Sequence, residues 1–307
     1  MRRILIVGCG DIAMRVVSQL QVGNSVPYRL FGLVRNTARC DEMRALSVTP
    51  LLGDLDQLKS LRRLAGLADT VLHFAPPPAP RNSSPTDTRT RNLLAILSQG
   101  GLPKQFVYIS TSGVYGDCGG AIISETHPLN AQTARAQRRI DAEKQIRRWA
   151  KRNGVHASIL RAPGIYAADR LPLDRLRAAT PAIVPEEDSY TNHIHADDLA
   201  RIVIAALHNA KPNRIYHASD DSQLKMGDYF DAVADAHHLP RPPRLPRAEV
   251  ERAVTPVLWS FMNESRRMTN ARMKRELKVE LRYPTVADGL LSTMSLASPN
   301  RHPRIDI

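Results

Sequence analysis

The sequence predicts an α/β protein built on a doubly wound parallel sheet, with a smaller α/β subdomain toward its C-terminus. Short apolar runs alternate with stretches of helical periodicity through the first half of the chain. A glycine-rich turn joins the first run to the first periodic stretch. At 307 residues, 43% hydrophobic and 24% charged, the chain can build one large domain or two of about 150 residues.

The elements follow in order. RILIV (3–7) is a buried strand running into Gly8-Cys9-Gly10, and Ile12, Val16, Val17 and Leu20 then fall at helical spacing. YRLFGLV (28–34) and VTPLLGD (48–54) are the second and third strands. Leu58, Leu61, Leu64 and Leu67 predict a helix, and TVLHFA (70–75) the fourth strand. PPPAPRNSSP (76–85) is a loop, because proline lacks a backbone donor and its neighbours favour turns. Leu93, Leu94 and Leu97 mark a helix, QFVYIS (105–110) a strand, 133–152 a long arginine-rich helix and VHASILR (155–161) another strand. Strand and helix in alternation mean parallel βαβ units. Beyond them, helices are expected at 197–209, 226–237, 264–277 and 285–295. A strand is expected at 214–219, and LPRPPRLPR (239–247) reads as a stiff connector.

Gly8-Cys9-Gly10-Asp11-Ile12-Ala13 fits G-x-G-x-x-G/A between a strand and a helix, the Rossmann-type setting in which the pattern is specific. Gly8 makes the turn and Gly10 admits a pyrophosphate. Asp11 and Ile12 open the helix whose N-terminus faces the phosphates, and Ala13 lets helix and strand pack closely. An NAD-preferring site carries an acid at the end of the second strand. Here that strand ends Val34-Arg35-Asn36, with no acid before Asp41, so Arg35 is expected to pair with a 2′-phosphate and NADP is the expected cofactor, with NAD the alternative.

The segments YISTSGVYGD (108–117), ILRAPGIYAADR (159–170), HIHADDLA (193–200) and IYHASDD (215–221) stand in the order and spacing of the extended short-chain dehydrogenase/reductase superfamily, which contains the NAD-dependent epimerases and dehydratases. The chain resembles that superfamily over nearly its whole length, and residues 265–290 resemble the tail of its atypical YeeZ-type bacterial branch. The resemblance implies that Gly8, Gly10 and Ala13 form the pyrophosphate turn, and that Asp54, with Leu55, lies beside the adenine. It also implies that Ala75, Pro76 and Pro77 pass the nicotinamide ribose, that Thr111 is the catalytic Ser/Thr, and that Pro163 and Gly164 lie over the nicotinamide. The superfamily's base is a Tyr followed four residues later by Lys. Aligned on Glu143, those places hold Arg135 and Arg139, and no tyrosine of this chain has a lysine four residues on. Arginine cannot trade protons at neutral pH, but it holds anions. Tyr115 is then the nearest substitute acid, and Arg135 with Arg139 an anion clamp on one helix face.

Other classes are disfavoured. The longest apolar stretches fall far short of the roughly 20 residues of a membrane span, and the N-terminal run is too short for a secretory signal. Three cysteines (Cys9, Cys40, Cys118) without metal-ligand spacing fit a reducing cytoplasm. The net charge of +13 lacks interleaved aromatics, so nucleic acid is not the expected partner. His193-x-His195-x-Asp197-Asp198 is an incomplete ligand set, and no metal is expected. Asp197 or Asp198 reads instead as a helix cap. No G-x-S-x-G elbow accompanies Ser110 or Ser112.

The sequence therefore predicts a dinucleotide-binding Rossmann domain at 1–219, with 166–190 contributing to the substrate side, then a substrate-side subdomain at 220–299 and a tail at 300–307. The expected function is hydride exchange with a small polar substrate, one that the two arginines would make anionic. The alternative is a non-catalytic NADP-binding regulator or interaction protein. The superfamily often pairs through two helices, here 88–98 and 133–152. So cationic a helix as the second would resist pairing, and monomer and homodimer both stay open.

Overall fold

A computed structural model describes residues 1–22, 28–78 and 84–297. The expected tail at 300–307, residues 298–299 of the expected subdomain, and residues 79–83 of the proline-rich loop lie outside the described residues.

Seven parallel strands form the central sheet: β1 (Arg2–Val7), β2 (Tyr28–Val34), β3 (Val48–Leu52), β4 (Thr70–His73), β5 (Gln105–Thr111), β6 (His156–Ala162) and β7 (Arg214–His217). In space they run 3-2-1-4-5-6-7. The order reverses between β1 and β4, which opens a crevice at the carboxyl ends of the strands. The inner strands are covered on both faces, which is why they read as nearly unbroken apolar runs, while the edge strand β3 leaves Thr49 and Leu52 exposed. Within β1 the alternation splits cleanly. Ile4 and Ile6 join the core on one side of the sheet, Leu5 and Val7 the core on the other.

Helices α1 (Asp11–Val22) and α4 (Ala196–Asn209) cover the first face, burying Val16, Val17, Leu199, Ile202 and Val203. On the second face, α2 (Thr88–Leu97) is capped by the Asp87 carboxylate, which accepts the amides of Arg89 and Thr90. Its neighbour α3 (Ala134–Asn153) is capped by Thr133 and stops at Gly154, whose φ of 67° suits glycine. The Trp149 indole N–H donates to Ser98 Oγ at 2.8 Å and ties the two helices together.

Four local expectations change. Residues 58–64 form a 3₁₀ helix rather than an α-helix. The leucine spacing explains it, since Leu58, Leu61 and Leu64 recur every three residues, the 3₁₀ period. The helix expected from residue 264 begins only at Ala271, and Arg267–Met268 instead pairs in parallel with Ile122–Ile123. Asn192 holds that strap extended, its side chain accepting the Met268 amide at 2.8 Å and donating to the Arg266 carbonyl at 3.0 Å. Within the connector, Arg244–Leu245 pairs with Ala182–Ile183. Finally, the cap of α4 is His195, whose Nδ1 accepts the Asp197 amide at 3.2 Å. Asp198 is buried and accepts the amides of Arg282 and Tyr283 at 2.8 and 2.7 Å.

A smaller core gathers Tyr166, Leu176, Ala182, Tyr229, Phe230, Val233, Val286 and Leu290 beside the carboxyl edge of the sheet. The helix Ala271–Leu277 leaves that core and buries Met273 and Leu277 against the first face of the sheet.

Behind the ends of β5 and β6 lies a fully buried ionic network. Arg161 is 2% exposed and grips Glu143 with Nη2 at 2.7 Å and Nε at 3.1 Å. Ser110 Oγ donates to the same carboxylate at 2.6 Å. Arg161 Nη1 donates to the Tyr115 hydroxyl at 2.6 Å, and that hydroxyl lies 2.5 Å from His217 Nε2. His217 Nδ1 faces the Thr269 carbonyl at 2.9 Å, so it carries the proton and Nε2 accepts from Tyr115. Glu143→Gln would leave the Arg161 charge uncompensated and is expected to cost about 3–5 kcal/mol in urea unfolding. The double replacement Arg161→Met with Glu143→Leu is expected to cost less than that single change.

Candidate functional site

The turn after β1 is built for close approach. Gly8 has φ of 95°, and a Cβ there would lie 2.4 Å from the Ala75 amide nitrogen, where the end of β4 crosses. Gly10 is the opposite case: a Cβ at that position meets nothing within 4 Å. The first intrahelical bond of α1 is Met14 N–H to the Gly10 carbonyl at 3.1 Å, so the amides of Asp11, Ile12 and Ala13 have no helical acceptor. Open space in front of free amides fits a pyrophosphate.

This turn forms one wall of a cavity of about 340 Å³ between the ends of β1, β2, β3 and β4. Arg35, Asp54, Leu55, Ala75 and Pro76 line it together with Gly8 and Gly10. Arg35 is exposed and, among the described residues, forms no ion pair. Asn36, Arg39, Gly53, Phe74 and Arg89 also line it and escaped the sequence reading. Arg39 is paired with Glu42 at 3.1 Å and Arg89 with Asp56 at 2.7 Å. Arg39 lies shortly after β2 and Arg89 in the first turn of α2, and neither place carries a pattern that marks a site.

A second cavity of about 310 Å³ lies at the ends of β5 and β6. Thr111, Arg135, Pro163 and Gly164 line it, so these four predicted residues meet at one place. Thr111 Oγ accepts the Gly113 amide at 3.3 Å, which leaves its own hydroxyl proton available to a ligand oxygen. Tyr190, His193, Tyr229, Phe230 and Phe261 add aromatic walls, and no lysine is among the lining residues. His193 stacks on Tyr229 with ring centroids 4.1 Å apart. The sequence singled out His193 only within HIHADDLA and an incomplete ligand set, and nothing marked Tyr190, Tyr229, Phe230 or Phe261, since the chain reaches the cavity from several separate stretches.

The other predicted positions stand elsewhere. Tyr115 is fully buried against Val114, Ile123 and Met268, with its hydroxyl held by Arg161 and His217; burial pushes it up to about 12. It does not line the cavity, which removes it as the substitute acid. Arg139 spends Nη1 on the Tyr108 hydroxyl and the Ile109 carbonyl, both at 2.9 Å, and does not line the cavity either. The clamp of Arg135 with Arg139 is corrected accordingly: one turn of α3 carries Arg139 into contact with β5, where a half-buried cation takes the available oxygens. The Asp11 carboxylate pairs with Arg15 and Arg170, at 2.9 and 2.8 Å. Ile12 and Ala13 are core residues, leaving only their backbone amides for a ligand. Pro77 touches the first site through its carbonyl, 3.5 Å from Arg89 Nη1.

A doubly wound parallel sheet, a glycine turn with an open cradle and cavities at the strands' carboxyl ends define a dinucleotide-binding α/β protein. A family model described as the NAD dependent epimerase/dehydratase family matches residues 4–218, and the chain belongs to that family. The resemblance of residues 265–290 to the YeeZ-type branch falls beyond this match. A functionally unknown conserved protein from Silicibacter pomeroyi is similar over 97% of this chain and 99% of its own, at 27% identity and a TM-score of 0.77. The dTDP-glucose 4,6-dehydratase of Bacillus anthracis, solved in complex with NAD, is 16% identical over 96% of each chain, with a TM-score of 0.77. The UDP-glucuronic acid 4-epimerase of Bacillus cereus, also solved with NAD, is 17% identical over 96% of this chain and 99% of that one, with a TM-score of 0.73. The last two share the fold. No curated protein matches the sequence. Among the described residues no helix is long and apolar enough to cross a membrane.

The two glycines should separate by experiment. Gly8→Ala is expected to lower stability by about 1–3 kcal/mol, from its positive φ and the clash with Ala75. Gly10→Val is expected to keep the wild-type melting temperature and lose dinucleotide binding in calorimetry.

Burial also sets a pH profile. His73, His193 and His217 are each pushed down to about 3 by desolvation. An unfolded chain protonates them near 6.5, so the unfolded state binds more protons below that pH and stability falls as pH falls. Asp220, pushed up to about 8 by burial, acts oppositely, and its contribution is lost as pH rises from about 4 toward 8. Burial also lowers His195, which adds to the histidine side, and raises Asp87 and Asp188, which add to the carboxyl side; the histidines set the slope just below their free value. Urea midpoints are expected to peak near pH 6.5 and to fall more steeply toward pH 5 than toward pH 8.

Proposed function

We propose that the protein binds NADP along the carboxyl edge of its sheet and exchanges hydride between the nicotinamide and a small polar substrate, as an oxidoreductase, epimerase or dehydratase. The observation that carries this reading is the open cradle at Gly10, in front of the free amides of α1 and beside the unpaired Arg35. The amides of Asp11, Ile12 and Ala13 would hold the pyrophosphate, Asp54 and Leu55 the adenosine side, and Ala75 and Pro76 the ribose. Pro163 and Gly164 would stand at the nicotinamide end. When bound, the nicotinamide supplies a hydride donor or acceptor. Thr111 directs its hydroxyl to the reacting oxygen of the substrate and fixes it in place. The relatives solved with NAD support a nicotinamide dinucleotide. Arg35 supports NADP, because a guanidinium pairs with a 2′-phosphate where an acid would repel it.

Two units divide this work: residues 1–219 hold the dinucleotide, while 166–190 and the segment from 220 on enclose the substrate. The three free cysteines support a reducing cytoplasm.

A second reading is a regulator that senses NADP without turnover. The locking of Tyr115 into the buried network and the lack of a lysine in the second cavity favour it. Oxidation of NADPH by the purified protein against a panel of small carbonyl compounds separates the two. Turnover of any member establishes the enzyme, and binding without turnover leaves the regulator. Arg35→Asp is expected to weaken NADP at least tenfold in calorimetric titration and to leave NAD unchanged or tighter. Equal losses for both would show that Arg35 does not select the cofactor.

A further inference from the structure

The wall of the second cavity carries four charged side chains, Arg135, Arg175, Arg266 and Glu264. Arg266 is compensated, with Nη1 2.8 Å from Glu264 and 2.7 Å from the Gly116 carbonyl. Among the described residues, neither Arg135 nor Arg175 has a carboxylate within ion-pair distance. Arg175 lies 3.9 Å from the centre of the Phe230 ring and donates Nη2 to the Pro181 carbonyl at 2.9 Å and to Met262 Sδ at 3.5 Å, while its Nε is buried without a partner. Arg135 stands 4.3 Å over the Phe261 ring and donates to Ser260 Oγ at 3.5 Å.

Elsewhere some buried and half-buried arginines face acids. Arg161 has Glu143, Arg244 has Asp231 and Arg15 has Asp197. Arg138, Arg139 and Arg267 donate to carbonyls or a hydroxyl instead. Half-buried Arg175 and exposed Arg135 have no acid either, and desolvation holds both guanidiniums below the usual arginine value, Arg175 down to about 10. Cations removed from water without a counter-charge destabilise a fold. Arg175 differs from Arg138, Arg139 and Arg267 in lining a cavity, where a ligand can supply the missing charge.

We propose that this cavity takes a small substrate bearing one oxyanion, carboxylate or phosphate, seated on Arg175 with Arg135 as the second cation, and with a compact apolar body against Tyr229 and Phe230. The proposal rests on the reading of this cavity as the substrate site. With Nη2 held by the Pro181 carbonyl and Met262 Sδ, Arg175 offers either oxyanion the donors of Nη1, and its contact with the Phe230 ring holds the guanidinium in place. The volume of about 310 Å³ stands at the low end of small-molecule sites, which limits the substrate to a compact body.

The test uses the full chain without dinucleotide, titrated in a calorimeter with benzoate, phenyl phosphate and the neutral isostere benzamide. Benzoate or phenyl phosphate is expected to bind at least tenfold more tightly than benzamide, and the better of the two identifies the oxyanion. Arg175→Met is expected to remove that preference and leave benzamide binding unchanged, Arg175→Lys to restore part of it, and Arg135→Met to reduce it less. The melting temperature of Arg175→Met is expected to match or exceed the wild type, because an uncompensated cation has gone. Equal affinity of the wild type for all three probes, or full anion preference retained in Arg175→Met, would overturn the proposal. NADP titrated into the same samples keeps the two readings apart. Anion preference without NADP binding removes the hydride-transfer reading alone, and NADP binding without anion preference removes this proposal alone.

Discussion

The buried pair of Arg161 and Glu143 fixes the part of the molecule on which everything at the second cavity depends. Arg161 stands on β6, Glu143 on α3 and Ser110 on β5, while Tyr115 follows β5 and His217 ends β7. One guanidinium therefore connects three adjacent strands and the helix that covers them. Its charge is removed from water, so every donor must find an acceptor, and the geometry that satisfies them admits little variation. Thr111, one residue beyond Ser110, inherits that rigidity. So do Pro163 and Gly164, just after Arg161.

The same network explains why a tyrosine in a familiar segment stands away from the second cavity. Tyr115 belongs to STSGVYG, but its hydroxyl accepts from Arg161 and donates to His217, and the ring fills a small apolar core. Burial favours its neutral form. A tyrosine with both hydrogen-bonding roles taken is a structural member of the network, and Thr111 is among the hydroxyl residues that do line the second cavity.

Charge is distributed by function as much as by stability. At the first cavity Arg39 and Arg89 are paired with acids, while Arg35 is exposed and free to meet a phosphate. At the second, Arg266 is paired and Arg135 and Arg175 are not. A net charge of +13 reads as a general basic character, but the fold sorts the cations at the strands' carboxyl ends into paired and unmatched ones.

The sequence by itself determined the sheet, its parallel sense and the dinucleotide turn. Seven runs of apolar residues separated by helical periodicity admit few other folds, and G-x-G-x-x-A between strand and helix states a local geometry that three small residues enforce. Gly8, Gly10, Arg35, Asp54, Ala75 and Thr111 were legible for that reason: each sits at a strand end, where chain position and site position coincide. The rest depended on which distant atoms meet. Arg139 and Tyr115 had the right spacing for a site and were captured by β5 and by Arg161, because a buried polar group goes to the strongest partner that packing brings within reach. Arg175 carried no signal at all. Its segment, the strap at 264–268 and the helix Pro256–Met262 converge on the cavity only through long-range packing, and whether an arginine ends beside a carboxylate or beside a phenyl ring is decided there.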